Sequence, residues 1–90
     1  MDAIIREFNR GFGNCIFMSR DPKRMENLFT DKINETMSFK VTSVKVTPVD
    51  ELHDKLSLSL EDDGTNVEGV LSWHKATDGV HYTLDSNPLA

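Results

Sequence analysis

One cysteine, one tryptophan, one tyrosine and three prolines are all that these 90 residues hold of those four types. A lone Cys15 closes no internal disulfide, and small cysteine-poor chains belong to reducing compartments, so a cytoplasmic setting is expected. No apolar run approaches the roughly 20 residues that span a bilayer. The first residues, with Asp2, Arg6, Glu7 and Arg10, lack the apolar core of a signal peptide. No membrane contact is therefore expected. Zinc-type Cys and His spacings, a Gly-Lys-Ser/Thr phosphate cradle and a complete dinucleotide fingerprint are all missing. The acidic run Glu61-Asp62-Asp63-Gly64 fails as a calcium loop, because aligning Gly64 with that loop's glycine puts Ser59 at the first ligand position and Val70 at the last. With no recognisable site chemistry, the expectation is a protein that is not an enzyme and holds neither metal nor cofactor.

What is there is ordinary globular material, 38% hydrophobic and 28% charged. Ninety residues suffice for a single domain over 1–90 and leave no core to share with a second. The net charge of −5 is unevenly spread: residues 1–48 carry +2 and residues 49–90 carry −7. All four arginines, Arg6, Arg10, Arg20 and Arg24, lie in the first third. That polarity suits one mildly basic and one acidic contact surface, or solubility alone.

Ile4, Ile5, Phe8 and Phe12 recur at helical spacing, with Arg6, Glu7 and Arg10 off that stripe, which predicts a helix over Asp2–Arg10 stopped by Gly11. Asp21 as cap and Pro22 at the first position open a second helix, Pro22–Thr36. Its buried face is read as Met25, Leu28, Phe29, Ile33 and Met37. From there the period falls to two. Phe39–Val49 reads as a strand with a bulge near Thr42-Ser43, and Pro48 marks its end or an edge. Thr47–Asp54 reads as a connecting loop. Leu56, Leu58 and Leu60 alternate with polar residues. Asp63-Gly64 signals a two-residue hairpin that would set Leu60 opposite Val67 and Leu56 opposite Leu71. A four-residue loop, Ala76 to a left-handed Gly79, would pair Trp73 with Tyr82, Leu71 with Leu84 and His74 with His81.

The fold expected is α+β: two N-terminal helices packed on one face of a three- or four-stranded antiparallel β-meander. The expected core is Ile4, Phe8, Leu28, Phe29, Ile33, Leu56, Leu58, Leu60, Leu71, Trp73 and Leu84.

One stretch points at a ligand class. Arg10-Gly11-Phe12-Gly13-Asn14-Cys15-Ile16-Phe17 resembles the aromatic octet of RNA-recognition domains, matching five of the eight positions and departing at Asn14, where an aromatic belongs. The resemblance implies exposed Phe12 and Phe17 stacking on bases, with Arg6, Arg10, Arg20 and Arg24 on phosphates. The helical stripe through Phe8 and Phe12 competes for the same residues and implies burial. Cys15 is read as a small apolar residue, and His74 with His81 as a paired but metal-free surface couple.

The functional expectation is a small non-catalytic interaction protein that binds and inhibits another macromolecule, of the kind encoded by phages against host factors. Its basic contact would use Arg6, Arg10, Phe12, Phe17, Arg20 and Arg24, and its acidic contact Glu61, Asp62, Asp63, Glu68 and Asp78. The alternative is an RNA-binding module built on the arginine-rich third. A homodimer through a sheet edge is a further expectation.

Overall fold

Asp21 starts the second helix as its chemistry requires: its carboxylate accepts the Arg24 N–H at 3.0 Å, and Pro22 occupies the first turn. The computed structural model describes residues 2–12, 17, 19–62 and 64–86. It orders the chain as α1 (Asp2–Phe12), α2 (Pro22–Thr36), β1 (Val41–Pro48), β2 (His53–Leu60), β3 (Asn66–Ala76) and β4 (Gly79–Ser86). The strands form one antiparallel sheet in the order β1-β2-β3-β4. The α2 helix packs on β1 and α1 on β4, which covers one face and leaves the other open.

α1 does not stop at Gly11 but continues to Phe12. Phe12 is fully buried and lies 4.5 Å, ring centre to ring centre, from Phe8. Burying a side chain of that size contributes about 1.5–3 kcal/mol, which outweighs the roughly 1 kcal/mol cost of glycine inside a helix. Gly11 instead marks a close approach, since a Cβ there would lie 2.6 Å from Met37 Cε.

Phe8, Phe12, Phe17, Phe29 and Tyr82 form one aromatic cluster between helices and sheet, joined by Met25, Ile33, Leu56, Leu58, Leu71 and Leu84. Ile4, Leu60 and Trp73 pack against it while half-buried. Leu28 is a correction: it is 42% exposed. Met25, Phe29 and Ile33 repeat every four residues and make the buried line by themselves, and Leu28 lies to one side of it.

The β3–β4 pairing follows the expected register, with Trp73 opposite Tyr82, Leu71 opposite Leu84 and His74 opposite His81. Its connection is shorter than expected, because Ala76 already pairs with Gly79 and only Thr77 and Asp78 turn the chain. The β1–β2 register shifts between Val41 and Ser43, at the expected bulge. The loop after it is confined to residues 49–52, since Thr47 and Pro48 belong to β1 and His53 and Asp54 to β2.

The β2–β3 register corrects the hairpin reading. Leu58, not Leu60, faces Val67, and Leu71 faces Asp54. Leu60 donates its N–H to Thr65 O at 2.9 Å and accepts from Gly64 N, so the loop holds four residues and closes on Gly64 at φ 72°. A slip of two preserves every inward face, because side chains alternate with period two. It leaves Asp54, on the same parity as the leucines, beside the core.

Candidate functional site

Of the expected contact residues, Arg6, Arg10 and Arg24 are exposed on the helical layer. Phe12 and Phe17 are a correction. Their exposures are 0% and 7%, so their faces meet other rings and offer nothing for a base to stack on. Phe17 also exchanges two backbone hydrogen bonds with Val80, at 2.9 and 2.8 Å. The RNA reading loses its stacking platform.

Arg20 is drawn away from the other arginines. Its Nη2 lies 2.8 Å from Asp54 Oδ1, its Nη1 donates to Glu51 O at 2.6 Å, and its guanidinium stacks 4.6 Å from the Trp73 ring centre. Asp54 is 2% exposed. A carboxylate buried this deeply needs a paired cation, and Arg20 supplies it from the segment before α2. The Tyr82 hydroxyl lies close by, with no hydrogen-bond partner among the described residues. Burial pushes that phenol up to about 12, Asp54 adding to the shift and Arg20 opposing it. The inward parity of Asp54 with Leu56, Leu58 and Leu60 is the one sequence signal that could have revealed this cluster.

Arg20 and Trp73 also fix the β1–β2 loop. The Trp73 indole N–H donates to Glu51 O, and Trp73 N–H donates to Leu52 O at 3.0 Å. Inside the loop the Asp50 carboxylate accepts from Leu52 N–H and meets His53 Nδ1, both at 2.8 Å. The Leu52 N–H, then His53, hold the Asp50 carboxyl below its usual range. On this frame sit Val49 and Leu52, 62% and 54% exposed. Beside them a groove of about 490 Å³ is lined by Phe17, Arg20, Trp73, Val80, Lys75 and Asp78 among others.

A second groove, about 580 Å³, runs between α1 and α2 and is lined by Glu7, Arg10, Gly11, Lys32, Thr36, Met37 and Ser38. Both Glu7 oxygens are engaged, by the Ser38 hydroxyl and the Ser38 N–H. Those two bonds, with Arg10 helping, hold the Glu7 carboxyl below its usual range. Arg6 stands one turn from Arg10 on α1, where residues four apart are surface neighbours.

The acidic residues do not converge. Glu61 and Asp62 are exposed in the β2–β3 loop and Asp78 in the β3–β4 turn. These lie at opposite ends of β3, whose 11 residues span about 35 Å. Glu68 pairs with Lys55 at 2.9 Å on the open sheet face. Asp63 and Cys15 lie outside the described residues. His74 and His81 face each other on the open side, and no group of three His, Cys, Asp or Glu among the described residues is placed to hold a metal.

The sheet edges, expected to invite strand addition, are partly occupied. On β4 the Asn9 carboxamide bonds both Leu84 N–H and C=O. On β1 the Asn34 carboxamide does the same to Val41, Glu26 accepts Val46 N–H, and Pro48 has no N–H to offer. A second copy adding a strand there would have to displace these side chains.

Comparison with protein-family models, with curated proteins and with solved structures yields no match for this chain. No helix among the described residues is long and apolar enough to cross a membrane.

Proposed function

We propose that this protein is a non-catalytic interaction protein that binds and inhibits another macromolecule, seating an acidic segment of a protein partner in the groove between α1 and α2. The observation that supports this reading is the groove itself. Arg10 and Lys32 line it, Met37 gives it an apolar floor, and Glu7, the only carboxylate in its wall among the described residues, is already held by Ser38. Arg6 and Arg10 stand exposed at its α1 side and would steer an acidic partner toward it. A protein segment fits this surface better than RNA, because the nearby aromatics are turned inward and the chain as a whole is acidic.

Affinity capture from native lysate, with and without nuclease, tests the proposal on wild type and on the Arg6→Glu/Arg10→Glu variant. The expected result is a protein retained after nuclease and lost from the variant. Capture that disappears with nuclease, or that ignores the charge reversal, overturns it.

A further inference from the structure

Three large hydrophobic residues are exposed among the described residues, and two of them, Val49 and Leu52, share the four-residue β1–β2 loop. Loop tips are ordinarily mobile, and ordering one on binding costs affinity. This tip is already ordered. Arg20 and Trp73 grip the Glu51 carbonyl, Trp73 N–H holds Leu52 O, and Asp50 ties Leu52 to His53. The same Arg20 and Trp73 also wall the adjacent groove, whose remaining apolar lining comes from half-buried Val80 and Ala76, with the edge of the buried Phe17 behind them. An apolar projection and an apolar recess thus stand side by side at one end of the sheet.

We propose that this end binds a second copy of the chain, Val49 and Leu52 of each protomer entering the Trp73 groove of the other. A patch carrying both projection and recess is self-complementary and closes under a twofold axis, so the association stops at a dimer. Charge sets its register. Each loop carries Glu51, exposed at its tip, and each groove rim carries exposed Lys75, so the twofold axis brings Glu51 to Lys75 twice. Asp78 on the same rim repels Glu51 and disfavours a shifted docking. The contact uses neither the sheet edges nor the helical groove, and so stands independently of the function proposed above.

Sedimentation equilibrium on the full chain over a concentration series tests the proposal. Wild type should rise toward twice the chain mass. Leu52→Asp, at an exposed position that leaves the core untouched, should weaken association at least tenfold, while Arg6→Glu/Arg10→Glu should leave it unchanged. Glu51→Lys and Lys75→Glu should each weaken it, and the two combined should restore it. A wild type that stays monomeric throughout overturns the proposal. So does a dimer indifferent to Leu52→Asp, or a charge swap that fails to rescue.

Discussion

Asn9 and Leu84, 75 residues apart, are joined by two hydrogen bonds: Asn9 Nδ2 donates to the Leu84 carbonyl at 2.8 Å, and Asn9 Oδ1 accepts the Leu84 N–H at 2.7 Å. A carboxamide carries the same donor and acceptor as a peptide unit, so Asn9 stands in for one residue of a fifth strand. Asn34 repeats the arrangement on Val41 at the other edge, at 2.8 and 3.2 Å. Each helix is thereby pinned to an outer strand by one asparagine.

Asn9→Ala should cost about 1–3 kcal/mol, because it strands a donor and an acceptor in a half-buried position. Urea unfolding measures the loss, and hydrogen exchange at the Leu84 amide should quicken. Asn9→Asp, which keeps the acceptor for the Leu84 N–H but sets a carboxylate oxygen against the Leu84 carbonyl, should lose at least as much. Equal stability of all three proteins would mean that water replaces the amide without cost.

Arg20→Ala should destabilise by about 3 kcal/mol, the low end for a broken buried pair, since Arg20 is itself partly exposed. Arg20→Met combined with Asp54→Leu should recover most of that loss by replacing the pair with apolar packing. The comparison is read from denaturant midpoints. A double variant no better than the single one would show that the Arg20 contacts to the loop carbonyls, and not the ion pair, carry the stability.

Gly69→Ala should be more damaging than Gly64→Ala. A Cβ at position 69 meets the Asp85 carbonyl oxygen at 2.7 Å and Leu84 Cδ1 at 2.6 Å, and the backbone cannot yield cheaply. About 1–3 kcal/mol of overpacking is expected. At Gly64 the space is open and only the positive φ resists, worth about 1 kcal/mol. Thermal unfolding should rank the two in that order.

Stability should fall as pH rises from about 10 to about 12. The unfolded phenol ionises near its ordinary value of 10, while folded Tyr82 resists until about 12. Across that window the unfolded state binds fewer protons, so the folded state loses about 1.4 kcal/mol per pH unit. Below the window the group contributes no pH dependence. Phenolate absorbance should therefore appear together with unfolding, and Tyr82→Phe should flatten the alkaline limb. A phenolate forming near pH 10 in the folded protein would contradict this.

The architecture was legible because local signals agreed. Asp21-Pro22 with the four-residue repeat fixed α2, and the pairing of Trp73 with Tyr82 followed from turn and alternation together. Gly11 misled, since glycine stops helices in general but here admits Met37. Asp63-Gly64 misled because a longer loop can also close on a left-handed glycine. The contact sites were less legible. Arg20 looked like its three neighbours in composition, and only the tertiary placement of Asp54 and Trp73 separates it from them. Asn9 and Asn34 gave no signal, because a carboxamide that caps a distant strand has no local pattern.

The packing of α1 on β4 also dictates when the chain can fold. α1 is made before β1–β4, and of these four strands β4 leaves the ribosome last. Until then Phe17 and Phe29 have no Tyr82 ring against them, and Asn9 has no Leu84 to hold. A nascent chain ending before Gly79 therefore leaves Phe17 and Phe29 without their β4 neighbour, and this core closes only after β4 has been synthesised.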